Sequence, residues 1–453
     1  MRRIAVLCAA TLSAAIILVP SARAQGFSVY EHDPCMMARG GAGVAAPCAG
    51  GSAVFFNPAG ILAAGKPWNL EANLTLIAPR GSFTDSASRT RTDLVKATYP
   101  VPAGYFTRQL GARAAVGIGA FAPYGLTTEW PSTFPGRFMA YKTQLSALYI
   151  QPTFAYKVAD GFQIGVGADY VTAAAKVHRH LDASTIPIPG GGGATLALIG
   201  VPPNTDFADA LFDVTGTGWG GHIGVMWQAS EQLSFGVRYM SQVKVKFTGN
   251  ASFTAIQTGI ALPAGNPLGA PGGTPLEAAL LSALPNQPAA ADITMPAQLV
   301  VGLAYAITPR FKVMADYQYT DWTVFKSLSL VLKTSGDTAT EYENYKATNA
   351  FRAGVDWQAT DAITLRAGVL THKGAAPDES VTPILPEGQR FEGTLGAGIK
   401  LAPMLRLDVA YQYIYQGDRR GRTLEIAAPI PANNNGLFAF TANLFGASLA
   451  LAF

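Results

Sequence analysis

Apolar and polar residues alternate one by one in segment after segment of this 453-residue chain. From Leu405 to Tyr413, for example, leucine, valine and tyrosine side chains alternate with mostly polar ones. Because side chains two residues apart share a face of a β-strand, the pattern predicts sheet with one apolar and one polar face. About fourteen such segments can be counted, beginning near residues 68, 99, 113, 144, 162, 218, 233, 297, 311, 348, 362, 391, 404 and 438.

The connections between these segments are alternately short and long. Val158–Gly161 and Gln358–Asp361 are short links, whereas the connections near residues 178–217 and 250–296 are long. An even number of antiparallel strands with short periplasmic turns and long extracellular loops is typical of bacterial outer-membrane barrels. A soluble sandwich would also alternate within its strands, so the connection lengths make the distinction. We predict an all-β fold, a 14-stranded antiparallel transmembrane β-barrel in the bacterial outer membrane, with both termini in the periplasm.

Residues 1–24 have the layout of a secretory signal peptide. Two arginines precede the apolar stretch Ile4–Val19, and Ala22-Arg23-Ala24 provides a cleavage site before Gln25. Cleavage there would leave 30 basic and 29 acidic residues. Such a near-neutral chain lacks the basic block typical of nucleic-acid binding. We therefore expect an exported protein that does not bind nucleic acid.

The segment 25–65 belongs neither to the signal peptide nor to the strands. From Gly40 to Gly65 it carries no charge, yet Pro47, Pro58 and several glycines exclude a membrane-spanning helix. It does not alternate either. A compact apolar segment of this kind needs shielding from water. We predict that residues 25–65 form a hatch, or plug, in the lumen of a barrel built from residues 66–453.

Two cysteines remain after removal of the signal peptide, Cys35 and Cys48, and both lie in the predicted hatch. In an oxidising periplasm they could close a disulfide, or they could be two unpaired small apolar residues. A zinc site does not fit, because only His32 and Asp33 lie nearby. The compartment favours the disulfide, and we expect no metal and no cofactor.

The five histidines offer little to an outer-membrane hydrolase. His222 alternates with lumen positions, and His178 and His180 lie at the start of a loop, so none belongs to a nucleophile motif. We therefore expect a protein that is not an enzyme.

Two of the long loops are unusually apolar. Each has a helix-like spacing of apolar residues after a capping pair, Thr205-Asp206 in one and Thr274-Pro275 in the other. Exposed apolar patches tend to mark binding sites, although these loops could instead pack on each other and close the top of the barrel. The candidate ligand-binding residues of this loop groove are Phe207, Leu211, Phe212, Leu276, Leu280, Leu281 and Leu284.

A second candidate site lies inside the predicted barrel. Apolar hatch residues could enclose a ligand there, and the alternation of the strand that starts at Leu233 predicts that its cations face the lumen. Inward cations could bind an acidic ligand or pair with carboxylates of the wall. The candidate residues of this lumen site are Val54, Phe55, Phe56, Arg238 and Lys244.

Several short motifs, in order along the chain, resemble the FadL family of outer-membrane transporters for long-chain fatty acids and other hydrophobic compounds. They are the hatch motif Asn57-Pro58-Ala59, the runs Val116–Trp130 and Arg238–Gly249, the run Tyr319–Trp322 and the terminal Phe453. The resemblance extends over nearly the whole chain after the signal peptide. It implies a monomeric fourteen-stranded barrel closed by a hatch. It also implies passive uptake of hydrophobic compounds, with long-chain fatty acids as the leading cargo.

The resemblance further implies a route for the cargo. Family members capture ligand between two extracellular loops, pass it to an inner site, and release it by hatch rearrangement through a lateral opening at a kink in the third strand. Gly117, Gly119, Pro123 and Gly125 are the candidates for this opening, and glycine within a strand permits a bend. Aromatic or alkane hydrocarbons are an alternative cargo, and a general porin or a lipid hydrolase is a weaker alternative. The expected partners are the hydrophobic cargo, outer-membrane lipid and lipopolysaccharide, and the barrel assembly machinery, which would recognise the aromatic C-terminus.

Overall fold

The computed structural model describes residues 26–64, 66–421 and 434–453, and their architecture confirms the predicted fold class. Fourteen antiparallel strands form a closed barrel, and four of the strands consist of two segments. The predicted signal peptide lies outside the described residues. In chain order the strands are β1 Trp68–Asp85, β2 Tyr99–Gln109, β3 Ala114–Glu129, β4 Lys142–Ala159, β5 Phe162–Asp182, β6 Asp206–Gln228, β7 Leu233–Met240 with Val243–Ala255, β8 Gln287–Met295 with Gln298–Thr308, β9 Phe311–Thr320 with Ser327–Leu332, β10 Thr338–Tyr342 with Thr348–Gln358, β11 Ile363–His372, β12 Arg390–Ala402, β13 Leu405–Arg420 and β14 Gly436–Ala452.

The barrel closes where its first strand meets its last. β1 pairs with β14 from Asn69 opposite Ala452 to Asp85 opposite Gly436, so no sheet edge is left at this seam. The main chains of Trp68 and Phe453 add a mutual pair of hydrogen bonds at one end of the seam. In the described parts of the chain, no helix is long and apolar enough to cross a membrane.

Residues 26–64 lie inside the barrel and are called the hatch below. They include α1 (Pro34–Met37), α2 (Ala53–Phe56) and a 3-10 helix, Pro58–Ala64. Asp33 caps α1, because its carboxylate accepts hydrogen bonds from the main-chain amides of the next turn. Cys35 and Cys48 form a disulfide with their Cα atoms 6.3 Å apart. Most hatch side chains are buried, so the hatch forms the core of the barrel.

Polar side chains of the barrel wall fasten the hatch by its main chain. The Asp316 carboxylate accepts hydrogen bonds from the amides of Gly43 and Val44 at 2.8 and 2.9 Å. Arg39 of the hatch forms an ion pair with Asp356 of β10. In a short irregular segment many main-chain N–H and C=O groups have no hydrogen-bond partner within the segment. Polar side chains of the barrel lumen supply those partners.

The two apolar loops differ from each other in secondary structure. The β7–β8 loop contains the short helix α3 (Leu276–Leu281), as its sequence predicts. The helix predicted after Thr205-Asp206 is wrong, since β6 already begins at Asp206. There Leu211 pairs with His178 of β5 on one side and with Ser252 of β7 on the other. Pairing with two neighbouring strands thus overrides the local helical spacing of apolar residues.

Candidate functional site: an apolar chamber and a gap in the wall

The long strands reverse their polarity part of the way along the barrel. The outer face of the lower half of β5 carries Val166 and Tyr170, and its inner face carries Asp169. In the upper half the outer face carries Lys176, while Val171 and other small apolar residues face inward. Since outer-membrane barrels face lipid with an apolar band, the upper half projects beyond the membrane on the side of the long loops. The lumen of this projecting part is therefore apolar.

A break in β7 produces the same reversal and corrects one predicted site residue. Arg238 in the lower segment is buried in the lumen, as its alternation predicts. After the break at residues 241–242 the inward phase shifts by one residue, so Val243 and Val245 point inward and Lys244 points outward. Lys244 pairs with Asp292 of β8 at 2.7 Å, and both side chains are more than half exposed. The prediction that Lys244 lines the lumen is therefore wrong.

Aromatic side chains mark the level at which polarity reverses. The rings of Tyr170 and Trp219 are in contact on the outer face of β5 and β6, with centroids 4.8 Å apart. Trp219 is 69% exposed and Tyr239 of β7 is 43% exposed. Such rings typically sit at the interface between membrane and water. Their position agrees with a chamber that starts above the outer membrane surface.

A narrow cavity, the upper cavity, lies in this apolar chamber. Its volume is about 50 Å³, far below the roughly 300–1,000 Å³ of typical ligand pockets. The chamber is thus nearly filled by its own side chains, and a ligand must displace some of them. The lining residues include Phe27, Leu126, Leu145, Val177, Phe212, Val214, Ile293, Phe325, Tyr345 and Leu385.

A second cavity, the lower cavity, is larger and reaches the outside of the wall. Its volume is about 420 Å³. One of its lining residues is Leu148, which lies on the outer face of β4 and is 40% exposed. Other lining residues are Phe27, Val29, Pro100, Pro102, Gly125, Leu126, Leu145, Leu385, Arg390 and Ile414. The lower cavity therefore connects the lumen with the surface that faces lipid.

The opening in the wall arises where β2 and β3 separate. In the described residues, the pairing of β2 with β3 ends at Gly104 opposite Ala120. Beyond this point β3 loses its pairing with β2 but keeps that with β4, and the register with β4 shifts between Phe121 and Tyr124. Proline cannot donate a main-chain hydrogen bond, and Pro123 lies in this bulge. Of the predicted gate residues, Pro123 and Gly125 thus lie at the opening.

The other two gate candidates, Gly117 and Gly119, lie in the paired part of β3. A Cβ atom on Gly117 would come within 2.9 Å of the side chain of Val54 in the hatch. The absence of a side chain at Gly117 therefore permits close packing of the hatch on the wall. Gly117 does not line the opening.

The start of the hatch lies across the gap. The Val29 amide donates to the Pro123 carbonyl at 2.8 Å, and the Gly125 amide donates to the Phe27 carbonyl at 2.9 Å. Residues 27–29 thus act as a short extra strand beside the bulge of β3. The Phe27 side chain lines both cavities, as do Leu126, Leu145 and Leu385. These four side chains form the constriction between the upper and lower cavities.

The predicted hatch residues lie deeper, below the constriction. Phe55 packs against Phe121 with ring centroids 5.1 Å apart. The Arg238 guanidinium lies 4.2 Å from the centroid of the Phe55 ring. Val54 and Phe56 are buried beside it. Arg238 also donates to the Phe55 carbonyl at 3.1 Å and to the Gln298 side chain at 2.6 Å. This group joins the hatch to the wall and lines neither cavity.

The hatch motif Asn57-Pro58-Ala59 joins the bottom of the hatch to β5 and β6. The Asn57 side-chain amide, through Nδ2, donates to the main-chain carbonyls of Val44 and Val225 at 2.7 and 3.0 Å. Pro58 lies so close to Gly165 of β5 and Gly224 of β6 that any larger residue there would collide with it. The hatch motif was recognised in the sequence, and its contacts show that it fixes the hatch to the barrel wall.

The candidate residues of the loop groove separate into three groups. Phe207, Leu276 and Leu280 are buried in one apolar cluster between the two loops, with Leu281 and Leu284 packed against it. Phe212 faces inward and lines the upper cavity. Leu211 lies on the opposite face of β6. The loops thus pack on each other, and Leu198, which is 77% exposed, is the most exposed large apolar side chain of this region.

Two titratable hatch residues lie close to the lower cavity. Burial and the nearby Glu392 carboxylate raise the pKa of Glu31 to about 7, and Glu31 lines that cavity. Burial and the charge of Arg238 lower the pKa of His32 to about 3, so this imidazole is neutral at physiological pH. Arg390 at the start of β12 is the only Lys or Arg among the lining residues of the two cavities.

His222 of β6 lies in a buried hydrogen-bonded chain with side chains of β4 and β5. It contacts Thr153 at 2.9 Å and Asp169 at 2.5 Å. The order hydroxyl, imidazole, carboxylate resembles a hydrolase triad, but all three side chains are buried and line neither cavity. Among the described residues, no group of three or more His, Cys, Asp or Glu side chains is placed to hold a metal ion.

A closed outer-membrane barrel with an apolar chamber and a gap between two strands of its wall is the architecture of a transport channel for hydrophobic compounds. The chain belongs to the outer membrane protein transport protein family (OMPP1/FadL/TodX), whose family model matches residues 15–453. This membership also places the protein in the outer membrane and among transport channels, which are not enzymes.

Three known proteins illustrate the similarity. A 47 kDa outer membrane protein of Pasteurella multocida is 27% identical over 404 residues, 89% of this chain and 90% of the relative. The long-chain fatty acid transport protein of Escherichia coli K12 is 23% identical over 467 residues, 98% of each chain. The crystal structure of a Pseudomonas aeruginosa FadL homologue superposes with a TM-score of 0.79 at 21% identity, covering 95% of this chain and all of the other.

Proposed function

We propose that this channel takes up long-chain fatty acids by passive diffusion, from the loop cluster through both cavities to the gap between β2 and β3. The proposal rests on the adjacency of the two cavities, which share the lining residues Phe27, Leu126, Leu145 and Leu385. One cavity lies in an apolar chamber outside the membrane, and the other reaches the surface that faces lipid. A hydrophobic compound could follow this route without contacting the polysaccharide-covered outer leaflet.

Burial supplies the driving force for entry into the chamber. Each CH₂ group removed from water contributes about 0.8 kcal/mol, so a long acyl chain binds an apolar lining strongly. Release needs a sink of equal affinity, and the lipid next to Leu148 is such a sink. The loop cluster around Phe207, Leu276 and Leu280 would provide the first contact, and its packing would close the chamber between transport events.

One polar residue of the lower cavity, Arg390, suits a carboxylate. Arg390 is a cation at the cavity wall, and the Gln416 side chain accepts a hydrogen bond from its Nε at 3.3 Å. A guanidinium can bind a carboxylate with two parallel hydrogen bonds. This residue supports a fatty acid as cargo over a compound without a charged group.

One observation favours uncharged hydrocarbons as a second candidate. The lining of the upper cavity includes the rings of Phe27, Phe212, Phe325 and Tyr345 but no Lys or Arg side chain. Aromatic rings pack well against other rings, and a neutral ligand would not need a cation here. Competition between a labelled fatty acid and toluene for uptake separates the two candidates.

Deletion of Pro123 tests the lateral outlet. The deletion shortens the bulge of β3 and should bring β2 and β3 closer, so we expect uptake of a labelled long-chain fatty acid to fall strongly. Heat-dependent electrophoretic mobility must show that the variant still forms a barrel. Unchanged uptake by a correctly folded variant would contradict a route through this gap. Free passage of small sugars through the unaltered protein would instead indicate a general porin.

The aromatic C-terminal residue bears on how the barrel is assembled in the membrane. Phe453 directly follows β14 next to the seam, where its ring is stacked with that of Trp68 at a centroid distance of 6.4 Å. We propose that the assembly machinery recognises this aromatic end and that the mature protein is a monomer surrounded by lipid and lipopolysaccharide. Light scattering of the purified protein, with detergent mass subtracted, tests the monomer.

A further inference from the structure

The loop between β11 and β12 folds back into the lumen and carries a buried carboxylate, Glu387. This loop spans residues 373–389, and the Glu387 side chain is fully buried. Its Oε1 accepts hydrogen bonds from the main-chain amides of Gly26 at 2.5 Å and Ala375 at 3.0 Å. Its Oε2 accepts one from the amide of Ala376 at 2.7 Å. One side chain therefore joins the first described residue of the hatch to the far end of its own loop.

The two segments that Glu387 joins carry two sides of the constriction. Phe27 directly follows Gly26, and Leu385 lies two residues before Glu387. Both side chains line the upper and the lower cavity. Displacement of either segment would therefore widen the passage between the cavities.

Burial of a carboxylate is unfavourable in free energy, and the hydrogen bonds of Glu387 explain why it can be buried here. An ionised carboxylate that loses water needs several donors in exchange. Three amides supply them, and Arg419 reinforces the loop by donating to the carbonyls of Glu387 and Ala376 at 2.7 and 3.1 Å. A side chain of similar size without the charge, or a shorter one, would leave at least one of these amides without an acceptor.

We propose that Glu387 is a positioning residue that holds the constriction closed by tying the start of the hatch to the β11–β12 loop. The two segments then open as one unit when cargo passes. Passage of cargo through this constriction rests on the proposed function, whereas the coupling of the two segments does not. The coupling is a property of the resting protein and can be measured without any ligand.

Hydrogen exchange of the full-length protein in lipid nanodiscs tests the coupling. In Glu387→Ala we expect amide exchange to increase roughly tenfold or more in both the peptide that reports the amides of residues 28–31 and the peptide that spans residues 373–388, since hydrogen bonds to a charged acceptor are lost. Glu387→Gln keeps the side-chain length and one acceptor oxygen, and it should show a smaller increase in the same two peptides. Glu379→Ala is the matched control, because Glu379 is exposed in the same loop.

The outcomes separate the inference from the proposed function. Faster exchange in the loop peptide alone would overturn the inference, since Glu387 would then stabilise only its own loop. Faster exchange in both peptides supports it. If both peptides respond but fatty acid uptake is the same in Glu387→Gln as in the unaltered protein, the coupling stands and the proposed route through the constriction fails. If Glu387→Ala does not fold, Glu387→Gln alone decides, and unchanged exchange of residues 28–31 in that variant overturns the inference.

Discussion

Phe27 of the hatch packs edge to face against Trp322, with ring centroids 4.5 Å apart. Trp322 is fully buried and also contacts the rings of Tyr124 and Tyr345. The Phe27 ring is therefore held at the constriction by a rigid aromatic group. Its main chain is fixed as well, because the Phe27 carbonyl accepts a hydrogen bond from the Gly125 amide.

Replacement of Phe27 by alanine should widen the passage. A Phe→Ala change in a packed core typically costs about 3–5 kcal/mol and leaves a cavity, which here would merge the upper and lower cavities. We expect single-channel conductance and the rate of fatty acid uptake to rise several-fold. Phe445→Ala is the control, because Phe445 faces lipid and is 55% exposed. An unchanged rate in Phe27→Ala would mean that this ring does not limit transport.

Loss of the charge should have a large effect at Arg238 and little effect at Lys244. Arg238→Met removes the hydrogen bonds to Phe55 and Gln298, and we expect the hatch to dock more weakly by about 2 kcal/mol. Faster entry of a large antibiotic into cells would report this loosening. Lys244→Met removes only an exposed ion pair, whose contribution is about 0–1 kcal/mol. Equal antibiotic sensitivity of the two variants would contradict these assignments.

The strand number and the hatch could be predicted because their signals are local. A period of two persists within each strand, and the lengths of the connections repeat along the chain. The direction of Lys244 could not be predicted in this way. Two residues at the break in β7 shift the inward-facing phase of the side chains by one residue. Nothing in the alternating sequence shows that the strand pairing is interrupted there.

The residues of the constriction were missed for a different reason. Phe27 and Leu385 are 358 positions apart in the sequence, and the hydrogen bond from Gly26 to Glu387 joins residues 361 positions apart. Neither residue stands in a motif or in an alternating run. Only the folding of the β11–β12 loop into the lumen brings them together. A glutamate among apolar loop residues is the one local signal that could have pointed to a buried anchor.

The loop cluster should depend on Phe207 and not on Leu211. Phe207 is fully buried between the two apolar loops, while Leu211 is only partly buried and does not belong to this cluster. Phe207→Ala should loosen the cluster by about 3–5 kcal/mol and lower the capture of fatty acid at low concentration. Leu211→Ala is the control and should take up fatty acid at the original rate. Reduced uptake in both variants would point to a general effect of these loops on stability.

The disulfide between Cys35 and Cys48 should restrain the hatch. It closes a loop with a sequence separation of 13, and a crosslink of this length stabilises the folded state by about 3 kcal/mol in the chain-entropy model. The double variant Cys35→Ser, Cys48→Ser should show faster amide exchange throughout the hatch and faster uptake. Treatment with a reductant should change the unaltered protein in the same direction and leave the double variant unchanged. A reductant effect on the double variant would exclude the disulfide as the cause.

Glu31 should make the stability of the protein depend on pH. Burial and the Glu392 carboxylate raise the pKa of Glu31 from its usual 4.5 to about 7 in the folded protein. The Gln412 side chain donates to its Oε1 at 3.1 Å, which does not offset the loss of water. The protonated form is therefore favoured by folding. The contribution of this group to stability is fully present below about pH 4.5 and is lost as the pH rises through about 7.

Comparison with Glu31→Gln isolates this contribution, because glutamine stays neutral at every pH. The free energy of unfolding of the unaltered protein minus that of the variant should fall as the pH rises from about 4.5 to about 7 and stay level outside this window. The slope is at most about 1.4 kcal/mol per pH unit for one proton. Urea unfolding from lipid vesicles at a series of pH values measures the difference, with exposed Glu379→Gln as a control that should give no trend. A difference that rises with pH would mean that the lumen stabilises the Glu31 carboxylate, and hatch docking would then have to use its charge.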